Sequence, residues 1–221
     1  MYAVIDVETT GKDPWRNEIL QMGMVVVNEE LETIGEFNEF IRPQYLRQWS
    51  EEAEEIHKIS QRRAAKFDSS RDVFDKFNMF LRGIQPDGAY GFICHASPRR
   101  SRINLFDRNF VFAWYWSHSD RLGYYRQFDE RKVQSTIKRE RNLAKQNWGI
   151  ENQKLGTWAK KLNIEFEHHT ALADAKVCLE ILKFQRRNLW QQDQQQPETK
   201  SQHLRQQQEL KQERSQHFKL S

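Results

Sequence analysis

Apolar residues fall into short dense runs at the front of the chain and into helical stripes further on. The segments YAVIDVE and ILQMGMVVVN are rich in Val, Ile and Met and are separated by the turn-prone TTGKDPWRN, which predicts two neighbouring strands. TIGEFNEFIRP alternates apolar and polar residues until a proline stops it, so the three segments together predict an antiparallel meander. In WSEEAEEIHKIS acidic residues follow Ser50, a favourable helix start. SRDVFDKFNMFLRGI spaces Val73, Phe74, Phe77, Phe80 and Leu81 as one core-facing stripe that Gly83 ends. GAYGFICH reads as another buried strand, and the Arg-rich ASPRRSRIN after it as a loop. From Ser117 to Lys154 the pattern weakens to one strand near VQSTIK with irregular or helical flanks. LGTWAKKLNI then predicts a short helix, and ALADAKVCLEILKFQRR a longer one with Ala171, Ala175, Cys178, Ile181 and Leu182 on one face.

A chain of 221 residues with 38% hydrophobic and 30% charged residues fits a soluble globular protein, either one large domain or one domain with an appendage. The mean hydropathy of −0.91 requires one stretch far more polar than the rest. That stretch begins near Gln191, where QQDQQQPETKSQHLRQQQELKQERSQHFKLS buries too little to offset its ordering entropy. The expected division is a folded domain over 1–190 and a Gln-rich tail over 191–221. The tail is disordered or a lone helix, with Leu204, Leu210, Phe218 and Leu220 as its only anchors for a protein partner. A net charge of +4 and a pI near 9.0 permit a polyanionic partner without requiring one. Cys94 and Cys178 lie in apolar contexts and read as packed free thiols of a reducing compartment. No basic segment and apolar run opens the chain and no window approaches a membrane span, so a cytoplasmic, nucleoid or nuclear protein is expected, neither secreted nor membrane-inserted.

The chemistry-bearing residues lie at opposite ends of the domain. Asp6 and Glu8 are two apart on a strand and so share a face, at the point where TTG carries the chain out of the core. A divalent cation there would neutralise two anions that otherwise repel. Far downstream, in EHHTALADAKV, Asp174 sits among Ala171, Leu172 and Ala175, small and apolar residues that let the helix approach another element closely. An anion beside a packing face is costly unless a positive charge lies against it, and a cation held by Asp6 and Glu8 would supply one.

With these residues in view, VIDVETTG, FDRNF and LGTWAKKLNIEFEHHTALADA resemble the three motifs of the DnaQ-like, DEDDh-type 3'–5' exonucleases, and HTALADA fits that family's H-x-A-L-x-D-A pattern. EILQMGMVVV, FIRP and EIHKIS resemble further segments of it, so the likeness spans roughly Tyr2 to Leu189. The resemblance implies an α/β fold with an RNase H-like mixed sheet flanked by helices, and hydrolysis of 3'-terminal phosphodiesters of single-stranded or overhanging DNA or RNA. It implies two divalent cations about 4 Å apart, Mg or Mn given the all-oxygen ligands. By carry-over Asp6 bridges both ions, Glu8 and Asp174 complete the first site, Asp107 helps hold the second, and His169 is the general base. Thr9 and Thr10 cradle the terminal nucleotide through their backbone, Gly11 permits the turn, and Met22 either packs on the terminal base or is plain strand core.

Two departures from the family pattern stand out. In CHASPRRSRINLFD several residues separate His95 from Asp107, leaving Asp120 and Asp129 as alternatives for the interior aspartate; the insertion is either a solvated basic loop or a clamp of Arg99, Arg100 and Arg102 on the substrate backbone. Lys58 stands where the family commonly has glycine in I-H-G-I-S/T. His168, lacking the five-residue offset to Asp174, is expected to be an exposed loop residue. Readings outside this one are a catalytically silent nucleic-acid-binding or scaffold module on the same fold, an RNase H-type endonuclease, and a proofreading subunit recruited to a polymerase by the tail.

Overall fold

The computed structural model describes residues 1–95, 98–99, 102–103, 105–119, 121–136 and 149–188. Strands β1 (Tyr2–Thr9), β2 (Ile19–Val27) and β3 (Thr33–Arg42) form the antiparallel meander that their alternation predicts. Every residue of β2 is buried, because β2 is the inner strand of the meander and both its faces are covered; its unbroken apolar run is the sequence mark of that position. The short β4 (Asp68–Ser69) lies parallel to β3, β5 (Gly91–Cys94) lies parallel to β1, and β8 (Gln134–Ser135) lies parallel to β5, giving the mixed order β4-β3-β2-β1-β5-β8. Where the Arg-rich loop was expected, β6 (Pro98–Arg99) and β7 (Arg102–Ile103) pair as a separate antiparallel hairpin.

The period of two along β1 and β2 sorts their side chains between the two faces of the sheet. Ala3, Ile5 and Val7 join Met22, Met24 and Val26 in a core closed by α3 (Ser70–Ile84) and α4 (Phe106–His118). Val73, Phe74, Phe77 and Leu81 of α3 form its buried stripe, as the spacing predicts, while Phe80 is only partly buried against it. The helix does not stop at Gly83 but runs one residue further, capped through Gln85 N–H to the Leu81 carbonyl. The other face presents Val4, Asp6 and Glu8, which pair in register with Val25, Gly23 and Gln21. A helix over 171–188, called α7 here, packs its first turn backbone to backbone on Gly23. The remaining helices are α1 (Glu51–His57), α2 (Gln61–Ala64), α5 (Arg121–Gln127) and α6 (Leu155–Leu162). Cys94 and Cys178 are buried free thiols.

The chain divides into a unit over Met1–Ile181 and a second over Leu182–Ser221. Of the second, the described part is the end of α7 to 188, where Asn188 Nδ2 donates to the Phe184 carbonyl at 2.8 Å. The polar segment 191–221 lies outside the described residues. Among the described residues no helix is long and apolar enough to cross a membrane.

Lys58 closes α1 in the left-handed conformation, with φ 59° and ψ 19°, its N–H bonded to the Glu54 carbonyl at 2.8 Å. That is the position where helices favour glycine, since a Cβ there crowds the following carbonyl oxygen at a cost of roughly 1–2 kcal/mol. Lys58→Gly is therefore expected to raise stability by about 1 kcal/mol, read as an upward shift of the urea midpoint. A downward shift would mean that the Lys58 side chain contributes packing that outweighs the backbone strain.

Candidate active site

The parallel pairing of β1 with β5 covers only Tyr2 to Val4, so beyond Val4 this edge of β1 is open. The first turn of α4 comes in there, and Asp107 Oδ1 accepts the Val7 N–H at 3.3 Å. Asp107 thus reaches the strand end from the helical layer opposite to the face that carries Asp6 and Glu8. A shift of pairing register between Glu8 and Thr9 ends the regular ladder at the same point, a local bend of the kind that re-aims side chains near sites. From the other face α7 brings Asp174. The Ala171 N–H at its start points to Gln21 Oε1 at 3.4 Å, which fixes the helix end on β2. One carboxylate oxygen from each of Asp6, Glu8 and Asp174 lies within 4.8 Å of the others. Glu8, Asp107 and Asp174 are only 8%, 5% and 5% exposed.

Burial of so many anions together shows in their proton affinities. The Asp6 carboxyl is held well above its ordinary value, by burial first and then by Asp107, Asp174 and Glu8. Glu8 is pushed up to about 7 by burial, Asp174 and Asp107. Asp107 also rises to about 7 through burial, against the pull of the Val7 N–H, and Asp174 rises to about 6 through burial. Among the described residues no Lys or Arg is paired with any of the four; the basic groups beside Asp174 are two imidazoles, His168 with Nδ1 3.2 Å from Asp174 Oδ1 and His169, which opposes the rise of Asp174.

His169 has φ 66°, and this left-handed residue turns the chain so that both imidazoles face Asp174. The rings stack at 4.0 Å with 8° between their planes. His168 lies on an exposed turn, as expected, and from there it contacts Asp174, accepts the His169 N–H on Nδ1 at 3.1 Å, and brings its Nε2 edge to Gly156 of α6. The left-handed kink, invisible in the residue spacing, is what brings it in. Burial lowers the pKa of both histidines, and for His169 the neighbouring His168 and Lys58 add to the effect while Asp174 opposes it. His95, at the end of β5, has both ring nitrogens occupied. The Gln153 carbonyl accepts from Nε2 at 2.8 Å, so Nδ1 is the acceptor toward Thr136 Oγ1 at 2.7 Å, and burial pulls its pKa down to about 4.

The other expected contributors are placed as follows. Thr9 and Thr10 are buried in the turn after β1: Thr9 Oγ1 donates to the Gly11 carbonyl, Thr10 N–H bonds to the Glu18 carbonyl, and the Thr10 carbonyl accepts from Ser50 N–H. Met22 is fully buried in the α3/α4 core and has no surface to offer a base. Arg99 and Arg102 oppose each other in the β6–β7 register, and Arg100 and Asp120 lie outside the described residues. Asp129 caps a short turn and pairs with Arg131 at 2.9 Å, an ordinary surface role. The contributor missed in the sequence is Gly23, the residue paired with Asp6; a glycine inside an apolar strand is the signal of close backbone approach that would have found it.

Among curated proteins none matches the chain. Of solved structures, E. coli exonuclease I in complex with a dT13 oligonucleotide matches with a TM-score of 0.68 and 17% identity, over 86% of this chain and 42% of that one. The zinc-bound form of the E. coli exonuclease I–ssDNA complex matches with 0.62 and 16%, over 82% and 39%. The nuclease domain of 3'hExo, a DEDDh family member, bound to rAMP, matches with 0.57 and 21%, over 82% and 88%. These likenesses show the fold, and the chain spans about two fifths of the length of the exonuclease I chains it matches. The family described as RNase_T, Exonuclease, matches residues 3–182, from the first strand through the helix that carries Asp174, and the chain belongs to that exonuclease family.

Proposed function

We propose that the chain is a divalent-metal-dependent exonuclease that releases nucleotides from the 3' end of single-stranded or overhanging DNA or RNA. The observation that carries this reading is the convergence of four carboxyls, those of Glu8, Asp107 and Asp174 buried and that of Asp6 half-buried, all held above their ordinary pKa and none paired with a Lys or Arg among the described residues. Such a set is unfavourable unless cations neutralise it, and its oxygen-only donors suit Mg or Mn. Asp6, Glu8 and Asp174 would hold one ion, and Asp6 with Asp107 the other. Bound there, the two cations supply charge to the attacking and leaving oxygens and lower the pKa of the attacking water.

The protein's own part is positioning and proton transfer. The Val7 N–H orients Asp107, and the close seat of α7 on Gly23 orients Asp174. His169, its pKa lowered by desolvation and by His168 and Lys58 beside it, accepts the proton of the attacking water, and His168 stacked on it holds the plane of its ring. Products are a 5'-mononucleotide and a strand shortened by one residue with a free 3'-hydroxyl. A neighbour bound to single-stranded DNA and another bound to rAMP make both sugars candidates.

The test is digestion of matched 3'-labelled single-stranded DNA, RNA and overhang duplexes with Mg, Mn or Zn, and with EDTA. Terminal label should be lost with Mg or Mn and retained with EDTA; strands intact under every cation would refute the proposal. His169→Ala should slow turnover at saturating metal by about 10²–10⁴-fold with metal affinity nearly unchanged. His168→Ala should cost about tenfold or less, through ring placement alone. The reverse ranking would exchange the two roles.

A further inference from the structure

We infer that a groove between the β1–β2 turn and the C-terminal half of α4 is a stacking subsite for the bases of a single strand whose 3' end lies at the carboxylates; this rests on the exonuclease reading. The groove is a cavity of about 250 Å³, smaller than the roughly 300–1,000 Å³ of pockets that enclose a whole drug-sized molecule. It therefore suits flat rings entering from an extended chain. Its rim carries Trp15, Tyr45 and Trp116, exposed at 65%, 62% and 50%. Large aromatic residues this exposed are unfavourable without a partner, and base stacking on such rings is sequence-tolerant because every base has a π-face.

The rings sit on a built support. Trp15 meets Phe112 edge-on at 6.2 Å, and Phe112 lies 6.2 Å from Trp116, so the two exposed indoles flank one half-buried phenyl. Both carboxylate oxygens of Glu18 accept backbone N–H groups, of Gln44 at 2.9 Å and Tyr45 at 2.8 Å, and Asn17 Nδ2 donates to the Gln48 carbonyl at 2.6 Å. The segment that presents Tyr45 is thus pinned to the turn that presents Trp15, and Glu18, the carboxylate in the groove, is already occupied by these bonds. Arg16, in the wall, is exposed and has no carboxylate partner among the described residues, which leaves a cation for a phosphodiester.

The groove is continuous with the candidate active site along two elements. The turn that bears Trp15 and Arg16 follows directly on Thr9 and Thr10 at the end of β1. Asp107 lies in the first turn of helix α4 and Trp116 follows it nine residues later, a rise of about 14 Å. A strand a few nucleotides long therefore spans from one to the other, and the bases held in the groove lie on it beyond the scissile bond.

The test measures anisotropy of a labelled oligothymidylate with calcium in place of the reactive cation. Trp15→Leu and Trp116→Leu are each expected to weaken binding about tenfold, whereas Trp15→Phe and Trp116→Phe, which keep a flat ring, should retain most of the affinity. Unchanged affinity in both Leu variants, with circular dichroism as in the parent, would overturn the proposal. So would equal losses in the Leu and Phe variants, or unchanged affinity with a shift in sedimentation that assigns the rings to self-association. Hydrolysis of the small ester thymidine 5'-(p-nitrophenyl phosphate) by the unmodified protein reports on the exonuclease reading separately, because that substrate does not extend into the groove.

Discussion

Replacing Asp6 by Asn is expected to abolish metal-dependent nucleotide release, by at least about 10⁴-fold, beyond the range that loss of a general base accounts for, while raising the melting temperature of the metal-free protein above neutral pH. Asp6 is the residue whose carboxyl feels all three of the others, so its neutral isostere removes a ligand of the proposed cations and relieves Asp107, Asp174 and Glu8 together. The sign follows from proton binding. In the folded state Glu8 holds its proton to about 7 instead of 4.5, Asp107 to about 7 instead of 3.8, and Asp174 to about 6 instead of 3.8. The unfolded chain gives up those protons near pH 4 to 4.5, so between there and about pH 7 it binds fewer protons than the fold. Stability contributed by these groups therefore falls as pH rises through that window and stays low above it, by an amount on the order of 3 kcal/mol for Glu8 alone.

A bound cation removes the same penalty, so Mg or Mn should raise the melting temperature little near pH 5 and most above pH 7, and in Asp6→Asn by far less at any pH. His95 pulls the other way, because a histidine kept neutral to about 4 loses its contribution as pH falls below 6.5. The difference between melting curves with and without cation cancels that term. If Asp6→Asn melts below the parent without metal above neutral pH, the carboxyls do not oppose one another as the geometry requires.

What the sequence made legible was whatever repeats with a period or depends on local chemistry. The meander β1–β3, the stripe of α3, the Ser50 cap of α1, whose side chain accepts from Ala53 N–H, and the small face of α7 all follow from spacing. Asp107 was placed by its motif, but its reach to the strand end depends on β5 parting from β1 after Val4, a pairing that no local pattern encodes. His168 is exposed on a turn, as its spacing led one to expect, but its approach to Asp174 was not legible, because the left-handed turn at His169 is a tertiary choice, made where a non-glycine residue is held by its surroundings. Lys58 was correctly marked as unusual, and the structure supplies the reason: a left-handed cap that glycine would occupy without strain.

Gly23→Ala is expected to be the most damaging single-methyl change in the domain. A Cβ at residue 23 would lie 2.1 Å from the Ala171 carbonyl carbon and the Leu172 nitrogen and 2.4 Å from the Ala171 oxygen, where ordinary contact begins at 3.4 Å. These are backbone atoms and cannot rotate aside, so the start of α7 must retreat from β2 by more than 1 Å. Asp174 rides on that turn three residues later, and Asp6 is the strand partner of residue 23, so the retreat opens the carboxylate cluster between its two halves. Overpacking of this kind costs typically 1–3 kcal/mol, and rigid backbone on one side puts the change at about the top of that range. A misplacement of about 1 Å in a catalytic constellation costs on the order of 10²-fold in rate. Gly83→Ala is the matched control, since nothing lies within 4 Å of the new methyl on α3 and replacing glycine inside a helix should gain up to about 1 kcal/mol. Thermal melts of both variants, with turnover measured well below either transition, separate loss of fold from loss of alignment. Parental melting and turnover in Gly23→Ala would show that α7 is not seated on β2 at this residue, and the convergence of Asp174 with Asp6 and Glu8 would lose its support.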